Sequence, residues 1–368
     1  MTCNAIRSMT RGVYCYSCKE TCNSPISLGE DRYSGETAQL EQINDNYCCL
    51  MFGGKFRVGH EGYDHSLGRD ETYWLRKEDF ISFFQNKKIN ITQGDKVVTK
   101  NLGKGWLDWE HRRQYDRVVF DPSLSVPPTV YNLYRGLAVV PCPGDWSLFR
   151  DHLEKIICNG DMKIAKYVLC WMARIVQEPG GDRPGVSLVL KGGRGAGKGI
   201  FANYYGEIFG IYYQHLQDAS RFTAKFNSFL ATAILVFADE AIWAGDRSKE
   251  GQLKALLTEP TYQVEMKGID SVTVKSNLNV IMATNNDWAV PAGDQERRFL
   301  VLEVSESVMQ DHEYFRKLRA QMDNGGVAAM VHDLLQVDLS AVNLYQAPRT
   351  AALECRRIPG LGYTVSPI

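Results

Sequence analysis

The stretch Val186 to Phe201, VSLVLKGGRGAGKGIF, decides the fold. It opens with a short, wholly apolar run of β type, Val186 to Leu190. The segment Gly192-Gly193-Arg194-Gly195-Ala196-Gly197-Lys198-Gly199 follows and fits G-x-x-x-x-G-K. Ile200 to Phe209 then reads as a helix. In this order the glycines let backbone N–H groups turn inward around phosphate oxygens, and the helix offers its positive N-terminal end. Lys198 would reach the β- and γ-phosphates. Gly199 stands where a Ser or Thr hydroxyl usually meets Mg²⁺, so a metal here must lean on water and other carboxylates. The competing reading is a Gly-rich strand–helix turn with an incidental lysine; the apolar strand on one side and the helix on the other argue against it.

Working outward, two more buried-strand runs follow, Ile234 to Phe237 and Val280 to Ala283. Short apolar strands separated by helical segments imply a parallel sheet covered on both faces, so residues 181 to 310 read as an α/β domain. The second strand delivers Asp239 and Glu240 at its C-terminal end, where open α/β sheets bind ligands. Asp239 suits Mg²⁺ coordination through water, and Glu240 suits polarisation of an attacking water. The third strand ends in Asn285-Asn286, a polar amide able to orient water or touch a phosphate, or simply good turn chemistry. Glu296-Arg297-Arg298-Phe299 precedes the apolar run Leu300 to Leu302. An arginine there could stabilise transition-state charge on a neighbouring subunit's nucleotide, or be solvated or salt-bridged. Thr261 to Asn277 reads as a β-hairpin around Gly268-Ile269-Asp270, with Lys267 near the turn and Lys275 in the far strand; both lysines could meet a nucleic-acid backbone, or be solvated.

Upstream, Trp146 to Cys158 and Met162 to Gln177 carry helical periodicity, and the Pro-rich passage Asp121 to Asn132 reads as a linker. Between Ile43 and Val98 short apolar runs alternate with turn signals; Gly53-Gly54 predicts a hairpin and Lys77 to Phe84 a short amphipathic helix. The expected division is a Cys-rich segment at 1–35, a small α+β domain at 36–130, a helical linker or collar at 131–180, the α/β core at 181–310 and a helical tail at 311–368.

Composition narrows the function. The chain has 368 residues, with 42 Lys+Arg against 43 Asp+Glu, a net charge of −1. That balance excludes a histone-like wrapper or polybasic membrane binder, so any nucleic-acid contact must come from a local basic surface. No apolar run approaches the ~20 residues of a membrane helix, and MTCNAIRSMTRG lacks the apolar core of a signal peptide, so a cytoplasmic protein is expected. Six of the ten cysteines lie in the first 49 residues, which in a cytosolic chain raises metal binding above disulfides. Cys15-x-x-Cys18 has ligand spacing, with Cys22 and Cys3 as further candidates for zinc, whereas a ribbon wants two such pairs. The alternative is unpaired or partly buried thiols.

The order of these motifs resembles the superfamily 3 helicases, and more closely the ATPase domain of phage and plasmid primase–helicase proteins of the poxvirus and phage type. The resemblance is carried by DWEHRRQYDRVVFDP (108–122), YNLYRGLAV (131–139), LVLKGGRGAGKGIF (188–201), FADEAIWAGDRSKEGQLKALLTEP (237–260), MKGIDSVTVKSNLNVIMATNN (266–286) and VPAGDQERRFLVLEV (290–304). RGVYCYSCKETCN resembles the second half of a primase-type zinc ribbon, and APRTAALECRR (347–357) a family tail that stops early. The resemblance implies an AAA+-like P-loop NTPase core that uses ATP and Mg²⁺. Gly192 to Gly199 would bind nucleotide, Asp239 and Glu240 would form the Walker B pair, and Asn285 would be the sensor. Arg297 or Arg298 would be the arginine finger, with Arg298 favoured because it directly precedes Phe299. It implies a DNA helicase acting in phage or mobile-element replication, in the host cytoplasm if phage-encoded. Such proteins form hexameric rings on single-stranded or forked DNA and work with a primase or polymerase. Two alternatives stay open: an ATP-binding DNA-loading scaffold with little hydrolysis, and a small-molecule P-loop kinase.

Overall fold

The structure is a computed structural model that describes residues 37–65, 69–93, 96–217, 221, 227–239, 247–266, 269–285 and 298–350, and the backbone of 14–15 and 20–21. Contacts divide the chain into two units, 1–135 and 136–368.

In the first unit, strands β1 (Tyr14–Cys15) and β2 (Glu20–Thr21) pair antiparallel. Helix α1 (Ala38–Asn46) leads into β3 (Tyr47–Phe52), which turns at Gly53 and Gly54, both at positive φ, into β4 (Lys55–Asp64). Two consecutive residues at positive φ give the turn whose twist matches a hairpin, as the Gly-Gly pair predicts. After β5 (Arg69–Leu75) comes α2 (Lys77–Phe83), the short helix expected there. The hairpin β6 (Lys88–Gln93) and β7 (Lys96–Asn101), helix α3 (Leu102–Asp108) and strands β8 (Gln114–Tyr115), β9 (Arg117–Val119) and β10 (Val130–Asn132) complete the unit. Its main sheet has the order β5-β4-β3-β8. Tyr47, Cys49, Val58, Phe80, Phe84 and Trp106 form the core on one face. On the other, Glu61 accepts from Arg113 Nη1 and Nη2 at 3.1 Å and from Tyr131 Oη at 2.7 Å, a bidentate pair that gathers three separate segments. The Pro-rich passage read as a linker is instead a closed loop: β9 and β10 pair parallel at its mouth, and Asn132 bonds both the N–H and the carbonyl of Asp121.

In the second unit, α4 (Ser147–Asp151) passes into a π-helical turn, His152–Ile157, where Cys158 N donates to Leu153 O five residues back. Helix α5 (Met162–Gln177) starts on Asp161, whose side chain accepts from the N–H groups of Lys163 and Ile164. The buried Trp171 indole then ties α5 to Val186 O at 2.8 Å. The strands that follow are β11 (Ser187–Lys191), β12 (Tyr213–Leu216), β13 (Leu235–Ala238), β16 (Asn279–Thr284) and β17 (Phe299–Glu303), the intervening hairpin being β14 (Thr261–Met266) and β15 (Ile269–Lys275). Helices α6 (Lys198–Glu207), α7 (Arg247–Thr258), α8 (His312–Gln321) and α9 (Val327–Leu334) lie between and after them.

The five strands form one wholly parallel sheet in the order β12-β13-β16-β11-β17. Both faces are covered: Val189, Val236, Val280 and Val301 pack on one side, while Leu188, Phe237, Ile281 and Leu300 alternate to the other, all buried. The unbroken apolar runs at 186–190, 234–237 and 280–283 are therefore strands for the reason the sequence suggests. Because β11 lies between β16 and β17 while its connection leads out to β12, its C-terminal end faces a crevice at a switch in strand order.

Candidate functional site

The glycine loop leaves the sheet where β11 ends, and neighbouring strands hold both of its sides. Gly192 N donates to Thr284 O of β16 at 3.2 Å, and Val304 N, just past β17, donates to Lys191 O at 2.7 Å. Gly195 (φ 80°) and Gly197 (φ 91°) both adopt backbone that L side chains rarely enter. At Gly197 space also forbids a side chain, since a Cβ would lie 2.5 Å from His152 Cε1 and 2.9 Å from Phe315 Cε1. Helix α6 begins directly after it, with no acidic residue in its first turn to neutralise its positive end. Gly199 differs from Gly197: a Cβ there meets nothing within 4 Å, so crowding does not explain the missing hydroxyl.

Lys198 is only 8% exposed, and its ammonium bridges the loop. Nζ donates to Gly192 O at 2.6 Å, to Gly193 O at 2.8 Å and to Asn285 Oδ1 at 2.9 Å. Burial pushes this lysine below its ordinary range, while the Asp239 and Glu306 carboxylates act the other way. The structure thus brings Lys198, the first residue of α6, together with Asn285, which follows the C-terminal end of β16. Asp239 follows β13 on the same C-terminal edge of the sheet; its half-exposed carboxylate lies 4.0 Å from His215 Nε2 at the end of β12. Glu306 completes the ring of charge, accepting from Gly193 N at 3.1 Å.

Other expected residues lie elsewhere. Arg298 precedes β17, where its carbonyl accepts from Ser187 N at 2.7 Å, so it sits at the N-terminal edge of the sheet, opposite the glycine loop. Lys275 pairs with Thr261 at the base of the hairpin, and its Nζ donates to Gly180 O at 3.0 Å. Glu240, Arg297 and Lys267 lie outside the described residues, as do Cys18, Cys22 and the side chain of Cys15. Among the described residues no group of three or more His, Cys, Asp or Glu could hold a metal ion, and no helix is long and apolar enough to cross a membrane.

Sequence reasoning missed His152. This fully buried imidazole places Nε2 3.2 Å from Gly197 O and Nδ1 3.0 Å from Tyr314 Oη, a residue of α8. Its local signal is slight, one histidine inside an amphipathic helical pattern. Burial pushes it down to about 4 from 6.5, only partly offset by the bond to Gly197 O. Between those values the unfolded chain carries a proton that the native one does not, so stability falls as pH drops from about 6.5 towards 4. That window is worth about 3 kcal/mol. Urea midpoints at pH 7.5 and 4.5 check this: the acid loss should be markedly smaller in His152→Gln, and an equal loss in both proteins would refute it.

With this geometry in view, comparison with known proteins gives three findings. Residues 190–298 match the profile of DUF5906, a family of unknown function. Over 188 residues, half of this chain, the sequence is 26% identical to the DNA primase-polymerase of Nitratiruptor phage NrS-1, and the match spans 26% of that protein. Apo structures of the NrS-1 C-terminal region superpose with TM-scores of 0.66 and 0.65 at 17% and 16% identity, covering 85% of this chain and 72% and 71% of those. At such identity the likeness to these structures is one of fold: a mixed α/β architecture with a parallel sheet.

Proposed function

We propose that this chain is an ATP-hydrolysing motor of the superfamily 3 helicase type that moves on DNA during replication of a phage or related mobile element. One observation carries the reading: the Lys198 ammonium joins the glycine loop after β11 to Asn285 at the tip of β16. A lysine that spans a Gly-rich loop, an amide beside it and a carboxylate on the next strand end form a set suited to a triphosphate. The relationship to a phage primase-polymerase supports the replication setting.

In this reading the backbone N–H groups around Gly195 to Lys198 hold the phosphates of ATP as substrate. Lys198 places positive charge beside the β- and γ-phosphates. Mg²⁺ fits the donor set, since Asp239 is a half-exposed carboxylate and this ion keeps several waters beside one or two carboxylates and the phosphates. When bound, the ion would neutralise charge developing on the phosphates. Glu240 polarises the attacking water, and Asn285 orients it after sharing its contact with Lys198. Arg298, with Arg297 as the alternative, acts from the next subunit of a hexameric ring. The hairpin carrying Lys267 and Lys275 faces single-stranded or forked DNA, with a primase or polymerase as partner.

A second reading, an ATP-binding DNA loader with little hydrolysis, is favoured by Gly199, where a hydroxyl would fit and is missing. Steady-state ATP turnover with and without single-stranded DNA separates the two. The motor requires turnover stimulated by DNA and lost in Glu240→Gln. Tight ATP binding with no stimulated hydrolysis would select the loader.

A further inference from the structure

We infer that His152 and Tyr314 are positioning residues that fix the Gly197–Lys198 peptide of the glycine loop, and through it the loop's hold on phosphate. The inference rests on the nucleotide-binding reading of that loop.

Gly197 O can only accept, so the His152 nitrogen facing it, Nε2, must carry the ring proton. In the neutral ring Nδ1 is then an acceptor, and the Tyr314 hydroxyl donates to it. Both groups are held in the protonation state this chain of bonds needs: burial keeps the imidazole neutral at physiological pH and raises the phenol to about 12. Gly197 O therefore selects the tautomer, and the Tyr314 hydroxyl satisfies the Nδ1 lone pair that this tautomer leaves buried, holding the ring against the loop.

The consequence for the loop follows from peptide planarity. In a trans peptide the C=O and the following N–H point in opposite directions. A Gly197 carbonyl held on His152 aims the Lys198 N–H away from His152. That N–H opens α6, among the donors left unsatisfied at a helix start. Phe201 N donates to the same carbonyl at 3.1 Å, so two donors from different elements fix its direction. The imidazole can approach this closely only because residue 197 has no side chain. The supports come from outside the sheet: His152 opens the π-helical turn after α4, and Tyr314 belongs to α8. Turns of this kind recur at functional sites because the extra residue re-aims a side chain.

Three variants test the assignment. His152→Phe keeps a ring and removes the donor, His152→Gln keeps a donor at comparable reach, and Tyr314→Phe removes only the hydroxyl that satisfies Nδ1 and holds the ring. Two readouts are taken: ATP affinity by calorimetry, and hydrogen exchange of the peptide spanning Gly192 to Gly199 without nucleotide. His152→Phe and Tyr314→Phe should each weaken ATP by about 10-fold and speed loop exchange, with His152→Gln restoring most of both. A purely structural role would lower the melting temperature without this pattern. Unchanged affinity and unchanged loop exchange in both Phe variants would overturn the inference. A wild-type protein that binds no ATP would overturn the nucleotide reading instead, and the exchange arm would still decide whether His152 fixes the peptide.

Discussion

Lys198→Ala is expected to abolish ATP turnover, lowering it by at least ~100-fold, the usual cost of removing a charge aimed at a transferring phosphoryl group. Two losses combine. The first is the ammonium itself, a buried charge held within reach of the loop and of Asn285. The second is the brace across the loop, because the same Nζ holds the carbonyls of Gly192 and Gly193. Without it those carbonyls turn to water, and the loop loses the closure that aims its N–H groups inward. Stability should change little, since the deleted bonds are made by a group whose burial is itself unfavourable. Steady-state turnover alongside thermal melting checks both halves. An alanine variant that turns over ATP within tenfold of wild type would remove Lys198 from the site. One that fails to fold would mean the brace matters more to the structure than to the chemistry.

How much of this was legible beforehand depended on range along the chain. Three of the five strands of the parallel sheet, β11, β13 and β16, were readable because strands buried on both faces are short apolar runs. Strand β17 showed as the apolar run Leu300 to Leu302, whereas β12, with the sequence YQHL and only Leu216 buried, carries no such run. Gly197 and Lys198 were readable because the loop's constraints are local: positive φ at fixed positions and a lysine at a fixed offset. Asn285 could be guessed, but its contact with Lys198 spans 87 residues and only the adjacency of β11 and β16 brings the two together. His152 carried only a slight local sign, one histidine in an amphipathic pattern. It lies 45 residues before Gly197 and 162 before Tyr314, and its neighbours read as an ordinary amphipathic helix. The Pro-rich passage 121–132 misled for the opposite reason. Proline reports local backbone preference, whereas the closure by Asn132 and the pairing of β9 with β10 are tertiary facts.

Arg298→Ala is expected to leave ATP affinity within about threefold of wild type and to lower the turnover number by about 10³, the range measured for arginine fingers. The reason lies in the sheet. Strands β11 and β17 run parallel with Ser187 opposite Phe299, so Arg298 starts at the edge where β11 begins. The glycine loop starts at the other edge, after Lys191, roughly 13 Å farther along the strand at ~3.3 Å per residue. An arginine anchored there is poorly placed for the phosphates of its own chain, and a head-to-tail ring would present it to the neighbour's. Each catalytic interface would then need Lys198 from one subunit and Arg298 from the next. Lys198→Ala and Arg298→Ala proteins should both be inactive alone, yet an equimolar mixture should regain activity at roughly a quarter of its interfaces, those where an intact loop meets an intact arginine by chance. Arg297→Ala, mixed in the same way, identifies which of the two adjacent arginines is the finger. Failure of both mixtures to recover, under conditions where subunits exchange, would confine the arginines to a role within their own chain. The ring would then lose its chemical justification, because a site complete in a single chain needs no neighbour to finish it.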